Sequence, residues 1–315
     1  MSDKLYEEMK EITRDDYLEF IKDHDSVIVE DTEVKLQKRW SIKAYAPPSS
    51  YTPETTTVWS FPDRGDWATH KGNYRGNWSP YVPRNLILKY TQRGDCVLDQ
   101  MVGSGTTLVE AKLLGRDAIG VDINPDAVMV SRDRLNFSYT SLFPEECTEP
   151  AIKTYCGDAR NLDTIKDGSI DLIATHPPYA SIITYTKNKK VDSDLSQLPF
   201  GEYLQEMRKV AEESFRVLKS GKICAVLIGD TRKYKHYIPI TFRVMQAFLD
   251  AGFILKEDII KLQWKTKMTR EKWRGKDYEF YLIAHEHVFV FRKPENEKEI
   301  KTYKFSTKWW ENGQI

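Results

Sequence analysis

The chain has 315 residues with 47 basic and 47 acidic side chains, so its formal net charge is zero and no global field marks it for nucleic acid or for a charged membrane surface. No apolar run approaches the roughly 18 residues of a membrane span, and the opening MSDKLYEEMK lacks the apolar core of a signal sequence, so a cytoplasmic protein without a membrane partner is expected. Cys96, Cys147, Cys156 and Cys224 show no CxxC spacing, which argues against a zinc site and a disulfide framework, and three of them fall in apparent strands.

In chain order, residues 5–24 read as one or two helices, with Thr13 as an N-cap ahead of RDDYLEFIKDH. Residues 45–84 are rich in Pro, Gly, Thr and aromatics with little helical period; Trp59, Trp67 and Trp78 argue against disorder, and so long an irregular stretch points to a functional role. From residue 95 the pattern changes. The apolar runs CVLDQM, DAIGVDI, IKTYC, IDLIAT, KICAVLIGD, FILKEDII and HVFVF alternate with helix-like segments near 106–115, 125–135, 201–218 and 240–250. This predicts an α/β fold with a doubly wound, mostly parallel, seven-stranded sheet. The last two runs have no helix between them and should pair as a C-terminal antiparallel hairpin. Their connection, KLQWKTKMTREKWRGK, has seven basic residues against one acidic, with Trp264 and Trp273 interleaved, a composition suited to phosphate contact and stacking.

Two stretches carry chemistry. VLDQMVGSGTT runs from a strand through Gly103-Ser104-Gly105 into a helix at Thr106, where glycines admit a ligand close to the backbone and the helix start offers free N–H groups. Asp122, 23 residues after Asp99, ends the next strand, where a carboxylate can accept both hydroxyls of a ribose. Asp99 stands four residues ahead of the first glycine, and an acid there suits a cationic amine better than a pyrophosphate. S-adenosylmethionine therefore fits better than a dinucleotide. The second stretch is LIATHPPY, residues 172–179. A proline pair cannot stay in a sheet, so the strand stops at Thr175 and a rigid loop follows at the strand's carboxyl end, where open α/β sheets bind ligands.

VLDQMVGSGTT, GVDIN, GDA at 157–159, THPPY and HEHVFVFRK together resemble the DNA amino-methyltransferases, which modify cytosine N4 or adenine N6, over about residues 74–293. The resemblance implies S-adenosylmethionine as cofactor. It places Asp99, Gly103, Ser104, Gly105, Thr106 and Thr107 at the methionine part, Asp122 with Ile123 at the ribose, and Asp158 with Ala159 at the adenine; Ser79 and Pro80, in NWSPYVPRNLI, line the methionine end. His176, Pro177, Pro178 and Tyr179 become the catalytic loop. An exocyclic amine is a poor nucleophile because its lone pair is delocalised, and two acceptors for its N–H bonds favour a pyramidal nitrogen aimed at the methyl group. The Pro177 carbonyl supplies one acceptor and side chain 176 the other, while Tyr179 stacks on a flipped base. Here the sequence departs from the family, which has Asp, Asn or Ser at 176. A neutral imidazole accepts one hydrogen bond in the right tautomer, and an unperturbed ring would put an acid limb near pH 6.5. The lack of Asp at 176 favours cytosine N4 over adenine N6.

The division expected is an N-terminal arm over 1–75, a catalytic domain over 76–295 with a basic insertion at 261–280, and a tail over 296–315. About 70 residues separate the cofactor motif from PPY, too few for a recognition domain. Contact with double-stranded DNA falls to the arm, to Lys187, Lys189 and Lys190 after the catalytic loop, and to Lys265, Lys267, Arg270 and Arg274 in the basic connection. Asp230 and TRKYKHY lie at the same sheet edge and could also meet DNA. A restriction endonuclease or specificity subunit is an implied partner. His285 and His287 share one strand face but lack a third ligand, so packing rather than metal is expected. Two alternatives stay open: methylation of an RNA base amine, and a DNA-binding subunit that has lost catalysis with the change at 176.

Overall fold

The computed structural model describes residues 8–29, 32–74, 76–138, 149–179, 194–264 and 279–308. Its centre is one sheet in the order β1-β7-β6-β5-β8-β9-β13-β12-β4. Five strands run parallel: β7 (Ile152–Cys156), β6 (Asp117–Asp122), β5 (Cys96–Asp99), β8 (Ile170–Thr175) and β9 (Leu218–Ile228). β13 (His285–Arg292) is antiparallel to both β9 and β12 (Ile254–Leu262), which makes the expected C-terminal hairpin. The seven strands anticipated from the apolar runs are thus present. Two-residue strands extend each edge, β1 (Lys10–Glu11) beside β7 and β4 (Val58–Trp59) beside β12.

The helices follow the alternation. α3 (Thr106–Leu114) and α4 (Pro125–Leu135) cross over between parallel strands, and α5 (Phe200–Val217) and α6 (Ile240–Asp250) cover the other face. On one side the core joins Tyr203, Met207 and Val210 of α5 and Phe248 of α6 to the sheet; on the other it joins Val109 of α3 with Trp59, Trp67 and Trp78. The tryptophans of the irregular stretch are therefore core residues. α2 (Tyr81–Tyr90), which the sequence reading did not separate from that stretch, buries Val82, Leu86 and Ile87 against the same side.

Near the N-terminus the outcome differs in part. α1 (Arg14–Asp23) begins at Thr13 in a reciprocal capping box, with Asp16 N donating to Thr13 Oγ1 at 3.1 Å and Thr13 N to Asp16 Oδ2 at 2.7 Å. Residues 10 and 11, read as helical, are instead the edge strand, because their backbone completes the ladder of β7. The tertiary pairing overrides a weak local preference. β2 (Ser26–Val29) and β3 (Thr32–Lys35) form a separate hairpin that packs on α4. Among the described residues no helix is long and apolar enough to cross a membrane.

Candidate active site

A cleft of about 700 Å³ opens at the carboxyl ends of β5, β6 and β8, where the strand order reverses. The turn after β5 holds Gly103 at φ +50° and Gly105 at φ +79°. A Cβ at Gly105 would meet Ser131 Oγ at 2.4 Å, and one at Gly103 would lie 3.2 Å from the Tyr74 ring. Glycine alone satisfies the dihedral and the space together. Thr106 then opens α3, and its buried Oγ1, without a partner among the described residues, belongs to a residue of the cleft wall.

Three carboxylates stand around this turn, each in a different state. Asp99 is 2% exposed; its Oδ2 accepts from Thr107 Oγ1 at 2.5 Å and its Oδ1 from Met101 N at 3.2 Å. Burial pushes its carboxyl up to about 7, so an ammonium placed beside it would restore the charged form. Asp122 accepts from Gly103 N at Oδ2 and from Asn124 N at Oδ1, both at 2.9 Å. Asp158 is gripped by Arg160, Nε to Oδ1 at 2.8 Å and Nη2 to Oδ2 at 2.5 Å, while Arg160 Nη1 reaches Glu206 at 2.7 Å. Asp158, which the resemblance placed at the adenine, is thus also a member of an ion-pair bridge.

The proline loop leaves β8 after Thr175, and His176, Pro177, Pro178 and Tyr179, the residues expected to be catalytic, all line the cleft. Tyr203 Oη donates to the Pro178 carbonyl at 2.9 Å, whereas no donor among the described residues takes the Pro177 carbonyl. Trp78 stacks near the His176 ring, centroids 5.9 Å apart at 26°. Loss of hydration in the surrounding protein lowers His176 to about 4, so the ring is neutral at physiological pH and the acid limb moves down from the expected 6.5. Tyr179 Oη donates to Glu286 Oε1 at 3.0 Å and lies 3.3 Å from His176 Nε2; Lys261 Nζ donates to Glu286 Oε2 at 2.7 Å. Lys261 and Glu286 are register partners on β12 and β13, so the antiparallel hairpin carries a buried ion pair to the site. Burial raises the Glu286 carboxyl, but the Lys261 charge and the hydrogen bonds from Lys261 and Tyr179 oppose it, and the carboxyl lies below the usual carboxylate range.

Of the cofactor residues expected, Ser79, Asp99, Gly103, Ser104, Thr106, Asp122, Ile123, Asp158 and Ala159 line the cleft. Pro80 starts α2, Gly105 faces Ser131, and Thr107 acts through Asp99. Lys187, Lys189, Lys190, Lys265, Lys267, Arg270 and Arg274 lie outside the described residues. Asp230 accepts from Thr241 N at 2.8 Å, from Thr241 Oγ1 at 2.7 Å and from the Tyr237 hydroxyl, so it anchors α6 and the exposed hairpin of Thr231–Lys233 and His236–Ile238. His287 Nδ1 is taken by Asp258 at 2.8 Å. The sequence reading missed Trp78, Arg160, Lys261 and Glu286. Strand alternation held the clue to the last: if His285 and His287 share one face, Glu286 points to the other.

A cradle of glycines, a buried acid suited to an amine and a second acid at the end of the next strand fit S-adenosylmethionine. Residues 6–133 and 170–314 match a family described as DNA methylase, and residues 86–219 match one described as RMKL-like, methyltransferase domain. The chain is 47% identical over 55 residues to the type II methyltransferase M2.DpnII of Streptococcus pneumoniae, covering 18% of this chain and 20% of that protein. It is 26% identical over 181 residues to the type II methyltransferase M.MthZI of Methanothermobacter thermautotrophicus, covering 50% and 51%. It is also 35% identical over 107 residues to a tRNA (guanine(10)-N2)-dimethyltransferase of that organism, covering 34% and 29%. The match thus spans from about a fifth to half of these relatives' length.

Proposed function

The chain belongs to the DNA methylase family, and from that premise we propose that it methylates the exocyclic amine of a DNA base, cytosine N4 in preference to adenine N6, as the modification partner of a restriction endonuclease. The observation that carries this reading is that a Pro177 carbonyl with no donor among the described residues and a neutral His176 ring share a cleft with the glycine turn. When bound, S-adenosylmethionine supplies an electrophilic methyl group on its sulfonium. Asp99 would receive the cofactor's amine, and Asp122 its ribose. The Pro177 carbonyl and the His176 imidazole accept the two N–H bonds of the target amine, which turns its lone pair toward the methyl group. Transfer would form the new N–C bond as the methyl group's bond to sulfur breaks, and the proton then lost from the nitrogen would be accepted by the His176 imidazole. Tyr179 packs on the flipped base.

Duplex DNA is the proposed partner, held by the N-terminal arm and by the basic residues at 187–190 and 265–274. The base preference rests on the absence of Asp at 176. The likeness to a tRNA methyltransferase gives an RNA amine a place in the test. Radiolabelled cofactor is offered with genomic duplex DNA and with tRNA, and the product is digested and identified by mass spectrometry. N4-methylcytosine in DNA is the expected result. N6-methyladenine would overturn the base preference, label in tRNA alone would overturn the DNA reading, and no label in either would leave a binding subunit.

A further inference from the structure

Around Tyr179 the supply of protons and lone pairs is limited enough to fix the state of a neighbour. Glu286 is ionised and already accepts from Lys261, so toward Tyr179 it acts only as an acceptor. Tyr179 has one proton; enclosure in the protein raises its pKa well above 10, so the hydroxyl keeps that proton and gives it to Glu286 Oε1 at 3.0 Å. What remains on the phenol oxygen is lone-pair density. It lies 3.3 Å from His176 Nε2. Two lone pairs would repel at that distance, so Nε2 carries the hydrogen, and the free lone pair of the neutral ring is on Nδ1.

We propose that Glu286, held charged by Lys261, is a positioning residue that sets the tautomer of His176 through the Tyr179 hydroxyl, leaving Nδ1 as the acceptor for the target amine. The tautomer stands on the hydrogen-bond chain from Lys261 to His176 and on the charge of Glu286; its consequence for methyl transfer rests on the function proposed above. The relay explains how a histidine can occupy a position where an oxygen acceptor is usual. An amide or carboxylate presents an acceptor in any case, whereas an imidazole does so only if its proton is parked on the other nitrogen. It also gives a role to the two antiparallel strands, whose register sets Lys261 against Glu286. The competing influence is the Gly76 backbone, whose hydrogen-bonding contact with the ring favours a proton on the imidazole.

The test uses the full-length chain labelled with ¹⁵N and long-range proton–nitrogen correlation of its six histidines at pH 7.5, His176 being identified by its loss in His176→Asn. Nε2–H with an unprotonated Nδ1 is expected. Glu286→Gln places an amide donor within reach of the phenol oxygen, and Tyr179→Phe removes the relay, so both should move the ring toward Nδ1–H, and Glu286→Gln should add nothing in the Tyr179→Phe background. Tyr179→Phe, which deletes one oxygen, keeps the test open if the Glu286 variant fails to fold. Nδ1–H in the wild type, held by Gly76, or a ring unmoved in both variants overturns the proposal. On an identified substrate, Glu286→Gln should lower the single-turnover rate by roughly 10- to 100-fold in the wild-type background and have little effect in His176→Asn. Equal losses in both backgrounds would overturn the positioning role. If the chain methylates no nucleic acid yet the ring responds as expected, the proposed function falls and the relay stands.

Discussion

Asp99 is a buried acid at 2% exposure whose carboxyl is pushed up from its ordinary 3.8 to about 7 by burial, only partly offset by the bonds from Thr107 and Met101. Because the folded value lies above the unfolded one, the penalty for ionising Asp99 is absent below pH 3.8, grows as pH rises, and is complete above pH 7. The gap between 3.8 and about 7 corresponds to about 4 kcal/mol at 1.36 kcal/mol per pH unit. Asp99→Asn removes the charge but leaves one amide N–H where the carboxylate accepted a bond, a pH-independent cost of about 1 kcal/mol. At pH 5 about 1.6 kcal/mol of the ionisation penalty is already present, so the advantage of the Asn variant over wild type should grow by about 3 kcal/mol between pH 5 and pH 8.5. Urea unfolding without cofactor at the two pH values reads this difference, and every other titration cancels between the proteins. The same variant should weaken S-adenosylmethionine binding by about 1.5–3 kcal/mol in calorimetry, because a charged acceptor for the amine is gone. A stability difference that is flat with pH would refute the raised carboxyl, and unchanged cofactor affinity would refute its role.

With His176 lowered to about 4, methyl transfer measured in single turnover should be level from pH 8 to 5 and fall only near pH 4, where protonation removes the acceptor; His176→Asn should show no such fall, and a shared limb near 6.5 would place the titration elsewhere. Glu110, fully buried, accepts from Trp67 Nε1 at 2.7 Å, His70 Nε2 at 2.7 Å and Arg84 Nη1 at 2.8 Å, so Glu110→Ala should cost about 3–5 kcal/mol in urea unfolding. A loss below about 1 kcal/mol would mean that the arm is not held to α3 in this way. Gly105→Ala meets Ser131 Oγ at 2.4 Å and forces a side chain to φ +79°, and thermal unfolding should show a loss of about 2 kcal/mol or more, with Gly105→Ala/Ser131→Gly recovering part of it.

What the sequence determined by itself was local and periodic. Strands such as Ile170–Thr175 are continuous apolar runs because both faces are covered by helices, and the run, the proline pair and the glycine turn each act within a few residues. The glycine turn and the proline loop were legible for that reason: the conformations of Gly103, Gly105 and the prolines are a property of their own backbones. The residues that only the tertiary structure supplied come from far along the chain. Glu286 is 107 residues from Tyr179, and Glu110 is 43 from Trp67. No local period records such a pairing, because it is set by which strands lie side by side and in what register. Charge states were likewise decided by the fold. Asp99 and His176 carry ordinary letters, yet burial raises the first and lost hydration keeps the second uncharged. An ionisable group's state depends on the energy of solvating it, and that is determined by every neighbour the folded chain brings to it.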